Sequence, residues 1–270
     1  MHTTELPRAH ASFLKRVLPI LQAEPRFVGV AAAGSYASAS LDEFSDLDLI
    51  IAVEPESIAA VTHERQRIAA QLGPLVAAFT GEHVGEPRLL ICLYRGEDGA
   101  APLHVDLKFV SLPDVAARVD EPVVLFERDG RLSAALQAGA ARYPMPDLPW
   151  IEDRFWVWIH YAAQKIGRGE LFEAVDFLAF LRAQVLGPLV LMEAGAQPAG
   201  VRRLEAVSPS RAKQLQETVA AYDRASCISS LYAAADLYRA LRHALTGGRE
   251  AANEAAESAA MAYLADIASR

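Results

Sequence analysis

Three aspartates carry the chemistry that this sequence offers. Asp46 and Asp48 form an Asp-x-Asp at the head of the apolar run Leu47-Asp-Leu-Ile-Ile-Ala-Val53, and ten residues separate them from Gly34-Ser35. In extended chain, side chains at i and i+2 share one face, so Asp46 and Asp48 project together while Leu47 and Leu49 enter a core. Carboxylates held side by side repel unless a cation lies between them. Mg²⁺ takes a few carboxylates, several waters and substrate phosphate oxygens. Gly34 lets backbone come close to a phosphate, and Ser35 offers it a hydroxyl and an N–H ahead of a helical turn. A third acid lies in Leu103-His-Val-Asp-Leu-Lys-Phe109, which alternates strictly between apolar and polar residues. That is a half-buried strand with His104, Asp106 and Lys108 on its polar face. If it runs beside 47–53, Asp106 joins Asp46 and Asp48 around one metal cluster. An isolated Asp-x-Asp also occurs on solvent-facing strand edges. Here the pair begins an apolar strand behind Gly-Ser at a fixed offset. His104 and Lys108 need do no more than solvate their face.

The elements that must position these residues are legible in outline. Residues 10–22 place apolar side chains at helical spacing, and 27–31 read as a buried strand ending in Gly34-Ser35. A second strand spans 47–53, and a helix spans 56–72 and stops at Gly73-Pro74. Strands follow at 75–80, 88–94 and 103–110, then a short strand within 121–127 and a helix at 131–141. The expected class is α+β: a mixed β-sheet with flanking helices over residues 1–143, followed by an α-helical bundle over 150–270. Prolines crowd Tyr143-Pro-Met-Pro-Asp-Leu-Pro-Trp150, which marks the boundary and is read as non-helical. Beyond it, helices are expected at about 151–166, 170–186 (interrupted at Gly187-Pro188, with resumption beyond it left open), 209–224 (capped by Ser208), 227–245 and 250–268.

Composition narrows the function. The chain has 270 residues, 52% of them hydrophobic, which excludes wholesale disorder. No stretch reaches the roughly 18 uncharged apolar residues of a membrane span. The N-terminal MHTTELPRAH lacks a basic segment followed by an apolar one, so no secretion signal is read there. Cys92 and Cys227 are the only cysteines, which leaves no disulfide framework or cysteine zinc site and implies a cytoplasmic setting. His63, His83, His160 and His243 lack ligand-like spacing. The net charge of −8 disfavours long DNA or RNA as a ligand. It suits a small cationic substrate, or an anionic one carried with metal. Oligomeric state is not legible.

Gly34-Ser35-x10-Asp46-x-Asp48 resembles the signature of the polymerase-beta-like nucleotidyltransferase superfamily. Asp106 stands where that superfamily has its third carboxylate. The order of a nucleotidyltransferase domain and a helical bundle resembles the two-domain lincosamide and aminoglycoside nucleotidyltransferases, and the stretch Trp158–Arg182 resembles the lincosamide group's bundle. One position departs: related motifs carry a second glycine five residues after the first, and here that residue is Ala39. The resemblance implies that Asp46 and Asp48 hold Mg²⁺ on an NTP, expected to be ATP, and that these acids and Asp106 bridge a second Mg²⁺. Asp106 would be the general base for an acceptor hydroxyl attacking the α-phosphate, with pyrophosphate as leaving group. Gly34 and Ser35 would contact the nucleotide. Lys165 and Arg168, at helical spacing with Tyr161, would reach the triphosphate or else are solvated charges. Trp156, Trp158 and Tyr161 are read as core or as a stacking surface. Glu152, Asp153, Glu170, Glu173 and Asp176 are read as an acidic lining for a cationic acceptor or as solvated helix faces. The reading is an enzyme moving AMP to a small hydroxylated molecule, an aminoglycoside or lincosamide among them. The alternatives are protein nucleotidylation and a nucleotide-sensing domain without turnover.

Overall fold

The computed structural model describes residues 6–96, 100–248 and 252–270. The chain divides into two compact units, Met1–Tyr143 and Pro144–Arg270.

In the first unit, α1 (Arg8–Ala23) precedes β1 (Phe27–Ala32) and the single helical turn α2 (Gly34–Ala37). Then come β2 (Leu47–Val53), α3 (Ile58–Gln71), β3 (Leu75–Gly81), β4 (Glu86–Tyr94), β5 (Leu103–Ser111), β6 (Val123–Glu127) and α4 (Arg131–Gln137). The six strands form one sheet in the order β3-β4-β5-β2-β1-β6. Only β2 and β5 pair in parallel; the other neighbours are antiparallel. The mixed sheet with helices meets the α+β expectation.

Both faces of the central strands are apolar over most of their length, and different helices cover them. Phe13, Val17 and Leu21 of α1 and Val61, Ile68 and Leu72 of the α3 region pack on Leu47, Leu49, Ile51, Val105, Leu107 and Phe109. On the other face, Leu132 and Leu136 of α4 pack on Val28, Ala52 and Val110. Asp48 and Asp106 stand four positions before Ala52 and Val110 on that second face, and they are only partly buried. The sheet therefore keeps one end of that face open for polar side chains.

The second unit holds α5 (Leu148–Gly167), α6 (Leu171–Leu181), α7 (Gly187–Glu193), α8 (Leu204–Val207), α9 (Pro209–Gln216), α10 (Arg224–Thr246) and α11 (Glu254–Ser269). No strand occurs among its described residues. Several expectations need correction here. The proline-rich segment is not wholly irregular: α5 starts at Leu148, capped by Asp147, whose carboxylate accepts from the Trp150 N–H at 3.1 Å. Pro149 lies in the first turn, where a missing N–H removes no helical bond. Gly187-Pro188 does not interrupt its helix. A π-helical turn, Arg182–Leu186, joins α6 to α7, and such a widened turn absorbs the altered hydrogen-bonding pattern at a proline. Helix α9 ends at Gln216 and not at 224. Thr218 turns inward there, its hydroxyl donating to Leu215 O at 2.6 Å and its carbonyl accepting from the half-buried Arg182. Asp223 then caps α10 three residues earlier than expected. Ser208 occupies the cap position of α9, but its side chain makes no cap bond. The expected start of the last helix at 250 lies outside the described residues, as do the first five residues of the N-terminal segment. Leu171–Glu193 is, by length and composition, apolar enough to cross a membrane, and half of its most apolar stretch is buried inside the protein. It carries Asp176 and Arg182 and gives Leu178, Leu181, Val185 and Leu186 to the core of the bundle.

Candidate active site

Parallel pairing of β2 and β5 puts Asp48 directly opposite Asp106. Asp46 lies just before β2. The three carboxylates bring one oxygen each within 4.8 Å of one another. The condition set by the sequence, that the two strands be neighbours, is thus met, and the acids lie on one sheet face.

Local structure explains how each acid is held. Asp46 follows a tight loop in which the Asp42 carboxylate accepts from the Phe44 N–H at 3.0 Å and the Ser45 hydroxyl at 2.8 Å. The Ser45 carbonyl accepts from His10 Nε2 of α1 at 2.7 Å, which anchors the loop to the unit's core. No sequence pattern pointed to His10; its polar ring on the buried face of α1 was the available signal. Asp48 is fixed by the ladder, and its carbonyl also accepts from the Ala33 N–H at 3.0 Å. His104 Nε2 lies 3.0 Å from Asp106 Oδ1, so His104 orients Asp106 and does more than solvate its face. Lys108, two positions further on, is 2.8 Å from Glu86. Hydrogen bonds from Arg88 first, then Lys108, hold the Glu86 carboxyl down at about 2 against the opposing effect of burial.

Gly34 faces this group. Its φ is +56°, in the left-handed region, and a Cβ built on it would lie 2.2 Å from Asp48 Oδ2. The close approach made possible at Gly34 is therefore that of the Asp48 carboxylate. Ser35, next to it, has a buried hydroxyl with no hydrogen-bond partner. Among the described residues it is one of two side-chain atoms so placed, and an orphaned buried hydroxyl is unusual.

The position of the missing second glycine is explained by geometry. The Ser40 N–H donates to Ser35 O at 2.9 Å, and the Ala39 N–H to Tyr36 O at 3.2 Å. These are the two bonds of a Schellman cap closing α2, in which the residue at the Ala39 position is left-handed and usually glycine. Ala39 adopts that conformation, with φ +53°. The turn after Gly34-Ser35 is thus formed despite the alanine.

Residues of the bundle unit have partners of their own. Lys165 is 2.9 Å from Glu170 and 3.6 Å from Glu173, and its ammonium lies 5.0 Å from the Tyr161 ring centroid. The bond to Glu170 raises the Lys165 pKa. Arg168 is exposed, 3.6 Å from Glu170. To meet a phosphate, Lys165 would have to leave both glutamates. Trp156 is buried core. Trp158 packs edge-on against Trp150 and Phe180. Glu152 is not part of an acidic surface lining: it is buried and accepts from the Trp156 indole N–H, the Tyr238 hydroxyl, Arg242 and the Asn253 N–H.

The donor set fits a hard divalent cation, since three carboxylate oxygens on one face are what Mg²⁺ takes alongside water and phosphate. No family model matches the chain, and no curated protein matches it in sequence. Among solved structures it is similar to an aminoglycoside 6-adenyltransferase from Bacillus subtilis, with 16% identity over 97% of this chain and 99% of that chain and a TM-score of 0.42. It is also similar to a nucleotidyltransferase-like protein from Exiguobacterium sibiricum, with 16% identity over 88% of this chain and 77% of that one and a TM-score of 0.36.

Proposed function

We propose that this chain is a divalent-metal-dependent nucleotidyltransferase that moves a nucleoside monophosphate, AMP from ATP in the first instance, to a hydroxyl of a small molecule. One observation carries the reading: Asp46, Asp48 and Asp106 converge on one sheet face beside Gly34 and the unpartnered hydroxyl of Ser35. Asp46 and Asp48 would hold Mg²⁺, with Asp106 completing the set. Bound there, the metal neutralises charge on the triphosphate and on the attacking oxygen. Ser35 donates its hydroxyl to a phosphate oxygen. Asp106, held by His104, accepts the proton of the acceptor hydroxyl. The remaining contribution is positioning, which places nucleotide and acceptor in line. A cationic acceptor, aminoglycoside-like or lincosamide-like, agrees with the acidic balance of the chain.

The test is ³¹P NMR of ATP and Mg²⁺ incubated with the protein and a panel of hydroxylated amines, aminoglycosides and lincosamides included. The expected products are a phosphodiester and pyrophosphate, absent with Asp106→Asn. A phosphomonoester with ADP would mean kinase chemistry, and labelling of protein alone would mean a protein acceptor. Magnesium-dependent ATP binding with no turnover on any acceptor would support a nucleotide sensor.

A further inference from the structure

The first unit contains a cavity of about 670 Å³ whose lining includes none of the three aspartates, nor Gly34 or Ser35. It lies at the start of α1, between that helix and the residues that end β4 and begin β5. Its size is in the range of small-molecule sites. We propose that it is a second ligand site, separate from the aspartate cluster, and that it takes a small organic anion bearing a hydroxyl, a phosphate ester or a hydroxycarboxylate.

Charge argues for the anion. Arg8, Arg16 and Arg95 line the cavity against one acid, Glu43, among the described residues. Arg16 is engaged, its Nε donating to Leu72 O at 3.1 Å. Arg8 and Arg95 are exposed, and among the described residues their side chains have no acid within ion-pair distance. The 16-residue helix α1 opens into the same space with no side-chain cap and no acid in its first turn, so its leading N–H groups add positive potential.

An independent observation argues for the hydroxyl. His10 lines the cavity and is 1% exposed. Its Nε2 faces the Ser45 carbonyl, which can only accept, so Nε2 carries the proton. A neutral ring then presents Nδ1 as an acceptor, and Nδ1 has no partner. A buried acceptor left unmatched is unfavourable, and a hydroxyl beside the anionic group of a ligand satisfies it. Ser12, on the same wall, offers a further hydroxyl to the ligand.

The experiment is isothermal titration of the full chain, without divalent metal. The probes are glycerol 3-phosphate, ribose 5-phosphate, glucose 6-phosphate, malate and citrate, with inorganic phosphate and free ribose as controls. At least one hydroxylated anion should bind saturably and at least about tenfold more tightly than inorganic phosphate, a gap of about 1.4 kcal/mol. Phosphate esters or carboxylates, whichever bind, identify the anion. Arg8→Ala and Arg95→Ala, at exposed positions that leave the core intact, should each weaken that binding about tenfold, and Asp48→Asn should leave it unchanged. The proposal is overturned if no probe saturates at millimolar concentration, or if inorganic phosphate binds equally well. It is also overturned if the arginine variants bind as the wild type does, or if Asp48→Asn abolishes binding, which would place the anion at the aspartates.

Discussion

A side chain at residue 34 would occupy the place of the Asp48 carboxylate, and this makes Gly34 and Ser35 separable by experiment. In Gly34→Ala the new Cβ meets Asp48 Oδ2 and the left-handed backbone becomes strained. The expected loss of stability is about 1–3 kcal/mol, with metal binding and transfer lost because Asp48 must move. Ser35→Ala removes a buried hydroxyl that has no partner, so its melting temperature should be unchanged or slightly raised, while the KM for nucleotide rises. A clear drop in melting temperature for Ser35→Ala would mean that the hydroxyl is structural. Ala39→Gly relieves the left-handed alanine of the Schellman cap and should stabilise the first unit by about 0.5–1 kcal/mol in urea unfolding. Equal or lower stability would show that the cap carries no strain. The sequence pointed to Gly34 as a site of close approach, but to phosphate. That its neighbour is Asp48 depends on the pairing of β1 with β2, which no local pattern states.

At the scale of elements, the alternation in 103–109 and the Asp-x-Asp of 46–48 each marked a polar strand face, and left it as a condition that the two strands be neighbours. The parallel register that sets Asp48 opposite Asp106 came only with the sheet. The bundle was less legible, because its helix ends are set by tertiary partners: Thr218 turns inward to meet Arg182, and the π turn carries the chain past Pro188. Glu152 is the clearest case. Read as acidic lining or a solvated charge, it in fact shares the buried stripe of Phe155 and Ile159 and joins α5, α10 and the start of α11 through four donors. Burial pushes its carboxyl up, and the hydrogen bonds from Tyr238, Asn253, Arg242 and Trp156 outweigh burial and hold it below the ordinary range. A depressed carboxyl contributes stability above the unfolded pKa of about 4.3 that is lost as pH falls through the folded value. Wild-type unfolding followed by circular dichroism should therefore show stability falling below about pH 4. Glu152→Gln should lose about 1–3 kcal/mol near neutral pH, because buried donors from Trp156, Tyr238 and Asn253 lose a carboxylate acceptor while Arg242 keeps only Glu257, and should flatten the acid limb. An unchanged acid limb would exclude Glu152 as its source.

Over the whole molecule, each of the two units has its own apolar core, and the chain is acidic. An acidic surface attracts cations and repels polyanions, so transfer to a cationic acceptor should slow as salt rises, and excess RNA should leave it unaffected. Incorporation of nucleotide into RNA would reverse that reading. The acceptor was not legible because recognition depends on the shape of a surface assembled from distant segments, whereas the three acids lie on or just before two strands with a readable residue pattern. The measurement closest to the central claim needs no acceptor: Mn²⁺ binding followed by electron paramagnetic resonance in the presence of a non-hydrolysable ATP analogue. Wild type should bind Mn²⁺ with the nucleotide, and Asp46→Asn, Asp48→Asn and Asp106→Asn should each weaken it at least about tenfold, or 1.4 kcal/mol, while keeping the wild-type circular dichroism. Mn²⁺ affinity unchanged in Asp48→Asn and Asp106→Asn would contradict the account.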